Sequence, residues 1–263
     1  MGTSSIYNGP KNNNSLLPSD YTDEQGNQEN DIINGQNVAW QTVKANFSKY
    51  INSKSGKSSR NSSSIEHITR QYVKASGGTK TLILKSPSGL FSGKNLYSFY
   101  DSVRSNGIKK TLEMLHIQFK GKSVNEIISL LVNAISPNAI TKEDIVARKA
   151  VQEASAHIYE YIVRNDMDIS CLDNMSQELV DISMCAYFTS YIWGTMMKDI
   201  SSRLEIFETN PDEAFKIEQE LKGYIKGIVE VELEKDNSIF QKSPDEAVDG
   251  LLEKCFEVME GII

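Results

Sequence analysis

Cysteine is scarce in this chain. There are three, Cys171, Cys185 and Cys255, an odd number with no CxxC pair. That excludes a disulfide framework and predicts structural thiols in a reducing cytoplasm. Histidine is as rare, with three residues, so a histidine-built metal site is not expected. Positions 1–31 lack the basic and apolar regions of a cleavable signal. The apolar run Met184–Met197 is too short to span a bilayer and is bounded by Asp181 and Lys198, so it reads as a buried helix and no membrane role is expected. No GxSxG, HExxH or Cys/His pairing in a motif context occurs, and no cofactor is implied.

What is present is ordinary globular material, 39% hydrophobic and 24% charged over 263 residues. The formal net charge of −7 conceals a split. Residues 40–122 hold 15 Lys and Arg against three acids, a net +12, whereas residues 123–263 hold 12 bases and 27 acids, a net −15. Such a split means either two surfaces with different partners or two halves that attract each other.

The patterning is helical after a polar start, and the fold class read from it is all-α, a multi-helix globular body preceded by a flexible polar N-terminal tail. Residues 1–37 hold too few large apolar side chains to offset ordering entropy. Residues 38–122 form a basic, mostly helical region and 123–263 an acidic helical bundle region. Trp40, Val43, Phe47, Tyr50 and Ile51 recur at helical spacing. Ser63 with Glu66, Ser123 with Glu126, Thr141 with Asp144, Asn174 with Gln177 and Ser243 with Glu246 carry capping-box spacing. Thr79–Leu84 fits either a strand or a short helix, with Pro87 and Gly89 expected to break it. The helix after Thr141 is expected to bury Ile145, Val146, Ala150, Ala154, Ile158, Tyr161 and Ile162. The one after Asn174, reaching about Phe207, is expected to bury Leu179, Ile182, Ala186, Trp193, Met197, Ile200 and Leu204.

Three patterns approach a known chemistry and fall short. Gly89 to Asn95 resembles a phosphate loop, but the first glycine is one residue too close and Asn95 stands where a magnesium-binding hydroxyl belongs. Glu153, His157 and Glu160 share one helix face at metal-ligand spacing, a face more often solvated. The basic segment interleaves Lys and Arg with Tyr72, Phe91, Tyr97, Phe99 and Tyr100, as a nucleic-acid surface does, although that spacing also suits a core. Its candidate contacts are Lys109, Lys110, Lys120 and Lys122.

The most distinctive stretch is the start, Met1-Gly2-Thr3-Ser4-Ser5-Ile6-Tyr7-Asn8-Gly9-Pro10, followed by Leu16-Leu17-Pro18-Ser19. Loss of Met1 leaves Gly2 as an unhindered amine with a reference pKa of about 7.7 to 8.0. Myristoylation wants Ser or Thr where this chain has Ile6. This opening resembles that of the QatB proteins of bacterial Qat anti-phage systems, whose version is richer in glycine. Here Asn8 and Lys11-Asn12-Asn13-Asn14 replace glycines and Asp20 replaces an aromatic. Tyr72-Val73-Lys74-Ala75-x-Gly77-Gly78, ending a helix, is similar to that family as well. The resemblance implies a non-enzymatic defence component. Its implied companions are a 7-cyano-7-deazaguanine synthase-like protein (QatC), a P-loop ATPase and a TatD-like nuclease. It further implies that the tail is presented to QatC, with Gly2 as the modified amine and Thr3, Ser4, Ser5, Tyr7, Gly9, Pro10, Leu16, Leu17 and Pro18 as its contacts. The alternative is a nucleic-acid-binding or scaffold subunit using the basic 40–122 face.

Overall fold

The computed structural model describes residues 38–54, 64–201, 211–235 and 242–262. Among them every regular element is a helix. They run α1 (Trp40–Lys54), α2 (Ile65–Ala75), α3 (Thr79–Leu84), α4 (Pro87–Asn106), α5 (Ile108–Met114), α6 (Val124–Ile135), α7 (Lys142–Arg164), a 3-10 turn (Ile169–Asn174), α8 (Gln177–Ile200), α9 (Pro211–Lys235) and α10 (Pro244–Glu260). Residues 37–263 form one compact unit. No described helix is long and apolar enough to cross a membrane.

α8 is the axis. It packs along α7, α9 and α4, while α10 closes the other side against α2, α3, α4 and α9. Tyr187, Phe188, Tyr191, Ile192 and Met196 of α8 are all buried, which is why the Met184–Met197 run is so apolar. Regions 38–122 and 123–263 share this single core.

Three helices of the basic region begin without a side-chain cap of their own: α3 after Gly78, α4 after Ser86 and α5 after Gly107. Orphan amides at a helix start need acceptors. Here remote carboxylates supply them. Glu260 at the end of α10 accepts from the Thr79 amide at 3.0 Å and its hydroxyl at 2.8 Å. Glu143 of α7 accepts from the Ser88 amide at 3.0 Å and the Gly89 amide at 2.8 Å. Asp173 accepts from the Ile108 amide at 2.5 Å. Glu143 also accepts from the Tyr191 hydroxyl at 2.7 Å, and Tyr187 donates to the Gly89 carbonyl, so α4, α7 and α8 are tied at one point.

The capping boxes at Ser123, Thr141 and Ser243 form as their spacing predicts. Two starts are shifted. The cap of α2 is Ser64, bonded to the His67 amide, which frees Glu66 to pair with Arg70. The cap of α8 is Ser176, bonded to the Leu179 amide, because Asn174 closes the 3-10 turn that Asp168 caps. Thr79–Leu84 is helical. Pro87 and Gly89 do not interrupt: proline takes the first position of α4, where its missing N–H costs nothing. Gly89 is needed inside that helix because a Cβ there would lie 2.0 Å from the Tyr191 ring. The buried faces agree in large part: Ala150, Ala154, Ile158 and Ile162 of α7 and Leu179, Met197 and Ile200 of α8 are buried as expected, with Val146, Tyr161, Ala186 and Trp193 half-buried. On α7, Ile145 is 43% exposed and the core stripe is Ala147, Ala150, Val151, Ala154, Ile158 and Ile162. On α8, Ile182 is 45% exposed, since this helix is surrounded on the opposite sides. α8 ends at Ile200, and Leu204 and Phe207 lie outside the described residues.

These contacts set two expectations. Gly89→Ala should cost about 3 kcal/mol, the upper range for an overpacked core, while Gly223→Ala on α9, where a Cβ meets open space, should gain about 1 kcal/mol of helix propensity; urea titrations of both read the contrast. The Asp144 carboxyl is held down at about 2, first by the Ser88 hydroxyl and then by Thr141. Its contribution is complete above about pH 4, the range of a free aspartate, and vanishes as the pH falls to about 2. Asp144→Asn should therefore flatten the stability curve between pH 4 and 2, and an unaltered acid limb would contradict this assignment.

Candidate functional site

Gly2, Thr3, Ser4, Ser5, Tyr7, Gly9, Pro10, Leu16, Leu17 and Pro18 lie outside the described residues. The body presents two other features. The larger is a groove of about 790 Å³ across α7, α8 and α9, with Arg104 of α4 at one end. That volume is within the range of ligand and peptide clefts.

The groove follows from the helix starts. Ser176 sets the register of α8 so that Ile182, Cys185, Ala186 and Thr189 line one strip, opposite Tyr187 and Tyr191. This strip is the floor, joined by Leu233 of α9. The rim carries both signs of charge, mostly paired within it. Lys222 lies 3.9 Å from Glu153 and 5.4 Å from the centre of the Trp193 ring. Lys226 pairs with Glu230 at 3.3 Å. Arg104 donates to Gln177, whose amide donates to Asp181 at 2.6 Å. Paired charges around an apolar floor recognise by complementarity rather than by net field.

The groove thiol is not activated. Burial pushes Cys185 above the ordinary thiol range, with a hydrogen bond from or to Thr189 opposing it. Burial also raises Cys171 and Cys255, and the carboxylates of Asp168 and Asp173 add to the effect at Cys171. A thiol shifted this way is a poor nucleophile. Glu153 and His157 line the groove, but Glu160 pairs with Arg164 at 3.6 Å. Among the described residues no group of three His, Cys, Asp or Glu side chains is placed to hold a metal ion. The Gly89–Asn95 pattern lies inside α4, with Gly93 against Tyr187, so its amides cannot curl around a phosphate.

The second feature is the lysine set. Lys109 and Lys110 are exposed on α5, and Lys120 and Lys122 are exposed in the turn leading to α6. The aromatics of the basic region divide as follows: Tyr72, Tyr97, Phe99 and Tyr100 are core, and Phe91 is exposed. The lysines were legible in the sequence. The groove was not, because its walls come from three helices and its floor from side chains whose spacing suggested burial.

A family model described as "QatB: Qat anti-phage system associated protein QatB" matches residues 77–259. The match spans α3 to α9 and all but the last residue of α10, and with them the groove and all four lysines. No curated protein and no solved structure matches the chain.

Thiol labelling gives a direct check on the groove. At pH 7.5 the half-buried Cys171 should react first with an aromatic disulfide reagent, slower than free cysteine, and Cys185 and Cys255 only on unfolding. Rapid labelling of Cys185 in the native protein would show an activated thiol and contradict the assignment.

Proposed function

The chain belongs to the QatB family of Qat anti-phage system proteins, and from that premise we propose that it serves the system as a protein substrate and docking partner rather than as an enzyme. The observation that carries this reading is the agreement of two separate stretches. The body matches the family over residues 77–259, and residues 1–18 resemble its opening without contributing to that match.

In this reading the tail enters the channel of the deazaguanine-synthase-like partner, QatC. Thr3, Ser4, Ser5, Gly9 and Pro10 are small enough for extended backbone to pass, Tyr7 is one larger contact, and Leu16, Leu17 and Pro18 provide an apolar stop. The Gly2 amine, freed by loss of Met1, takes the place of ammonia: it attacks the carbonyl of a deazaguanine carboxylate that ATP has adenylated, the acyl–phosphate bond breaks, and an amide forms as AMP and one amine proton leave. A P-loop ATPase and a TatD-like nuclease complete the set of partners. The body supports the role of partner: its groove pairs charges around an apolar floor, and its thiols are held protonated.

Intact mass of the chain co-expressed with its QatC partner tests this. The expected mass is the des-Met chain plus one deazaguanine acyl group, and Gly2→Pro, which removes the primary amine, should abolish the addition. A bare des-Met mass in the presence of active partner rules out the acceptor role. Loss of co-purification on deleting residues 2–18 tests the docking role separately.

A further inference from the structure

The corner between α5 and α6 combines three features that neither the fold nor the tail reading uses. The first is charge. Lys109, Lys110, Lys120 and Lys122 are exposed, and among the described residues none of them forms an ion pair within 4.0 Å. The nearest acids are held by backbone and remain charged, with Asp168 feeling Lys109 and Glu126 feeling Lys122 beyond ion-pair distance. Asp173 holds the Ile108 amide, Asp168 the Ser170 amide, and Glu126 the Ser123 amide and hydroxyl.

The second is a recess of about 510 Å³ lined by Glu113, His116, Ile117, Gln118, Phe119 and Lys120. Its depth comes from the way α5 ends. The Ile117 amide donates to the Leu112 carbonyl at 2.8 Å and the His116 amide to the Glu113 carbonyl at 3.0 Å. That is the Schellman pattern, which turns the chain sharply and buries Ile117 against Leu112.

The third is His116 itself. It occupies the left-handed position of this motif, φ +57°, where glycine is usual. A side chain with a Cβ is disfavoured there, so glycine would serve the fold better. Strain retained at an exposed ring beside a recess points to a use for the ring.

We propose that this corner binds single-stranded nucleic acid, with the four lysines on successive phosphates and one base in the recess against the His116 imidazole and Phe119. A recess walled by an aromatic and an imidazole has room for an unpaired base. Gln118 and Glu113 line it with a donor and acceptors for a base edge. α5, seven residues long, is too short to follow a duplex groove. The proposal is independent of the tail and holds whether or not Gly2 is modified.

The test is fluorescence anisotropy of a labelled oligothymidylate with the full chain between 50 and 200 mM salt. Four neutralised phosphates give an expected slope of about −2.8 in log Kobs against log[salt], at ~0.7 per single-strand phosphate. Replacing all four lysines by Gln should abolish binding. His116→Gly, which relieves the backbone and so preserves the fold, should weaken it at least about fivefold, the low end for one lost stacking contact. Four results would overturn the proposal: no binding at 50 mM salt, binding retained by the four-lysine variant, full affinity in His116→Gly, or equal affinity for duplex DNA or polyglutamate.

Discussion

Three carboxylates of the acidic region hold the starts of three helices in the basic region, and the fold depends on those contacts. Glu260, Glu143 and Asp173 reach back across 181, 54 and 65 residues to Thr79, Gly89 and Ile108. α3 and α5 have six and seven residues. Helices that short do not persist on propensity, because nucleation is unfavourable and few hydrogen bonds follow it. A carboxylate at the amino end meets both the orphan amides and the positive end of the dipole, an effect of about 0.3 to 2 kcal/mol per site. The +12 and −15 charges are thus used in part between themselves. Lys94 of α4, paired with Asp245 and Asp249 of α10 at 2.7 and 2.9 Å, extends the same attraction.

This arrangement explains what could be read from the sequence and what could not. Where a cap and its carboxylate are three residues apart, as at Ser123, Thr141 and Ser243, the start of the helix was legible. At Ser63-Ser64 two serines competed, and the amide of His67 rather than the side chain of Glu66 fixed the frame. The start of α4 was invisible, since its acceptor is Glu143 and no local pattern reports it. Gly89 looked like a breaker for the same reason: the Tyr191 ring that requires it lies on another helix. Periodicity placed Leu179, Met197 and Ile200 of α8 correctly and missed the exposure of Ile182, because a helix buried on most sides has no single apolar stripe to find. The lysines of the α5–α6 corner were legible as a charge run. The recess beside them depends on a left-handed residue at His116, which nothing in the local sequence announces.

The two surface features differ in how they recognise. The groove across α7, α8 and α9 has little net charge, since Arg104, Lys222 and Lys226 are set against Glu153, Asp181, Glu230 and Glu234 in its lining. Its floor is apolar at Ile182 and Leu233. The corner works by sign. Its lysines form no close ion pair, but Asp168 and Glu126, fixed by backbone hydrogen bonds and still charged, feel Lys109 and Lys122, so the corner presents ammonium groups over a partly compensating set of acids.

A chain with net charge −7 repels a polyanion at long range, and that repulsion has to be weighed against a local patch. Screening decides it. At physiological ionic strength the Debye length is about 8 Å, so charges on the far helices α9 and α10 act weakly at the α5–α6 corner. Close to the surface the four lysines stand against Glu113, Glu126 and Asp168. The balance shifts as salt is lowered, because the distant acids of residues 123–263 are then felt as well. Below the 50 to 200 mM range, as the Debye length grows toward about 30 Å, affinity for an anionic strand consequently rises less steeply than the slope of about −2.8 set by four phosphates. The curvature of that salt plot, rather than its slope alone, is the physical signature of a basic corner on an acidic body.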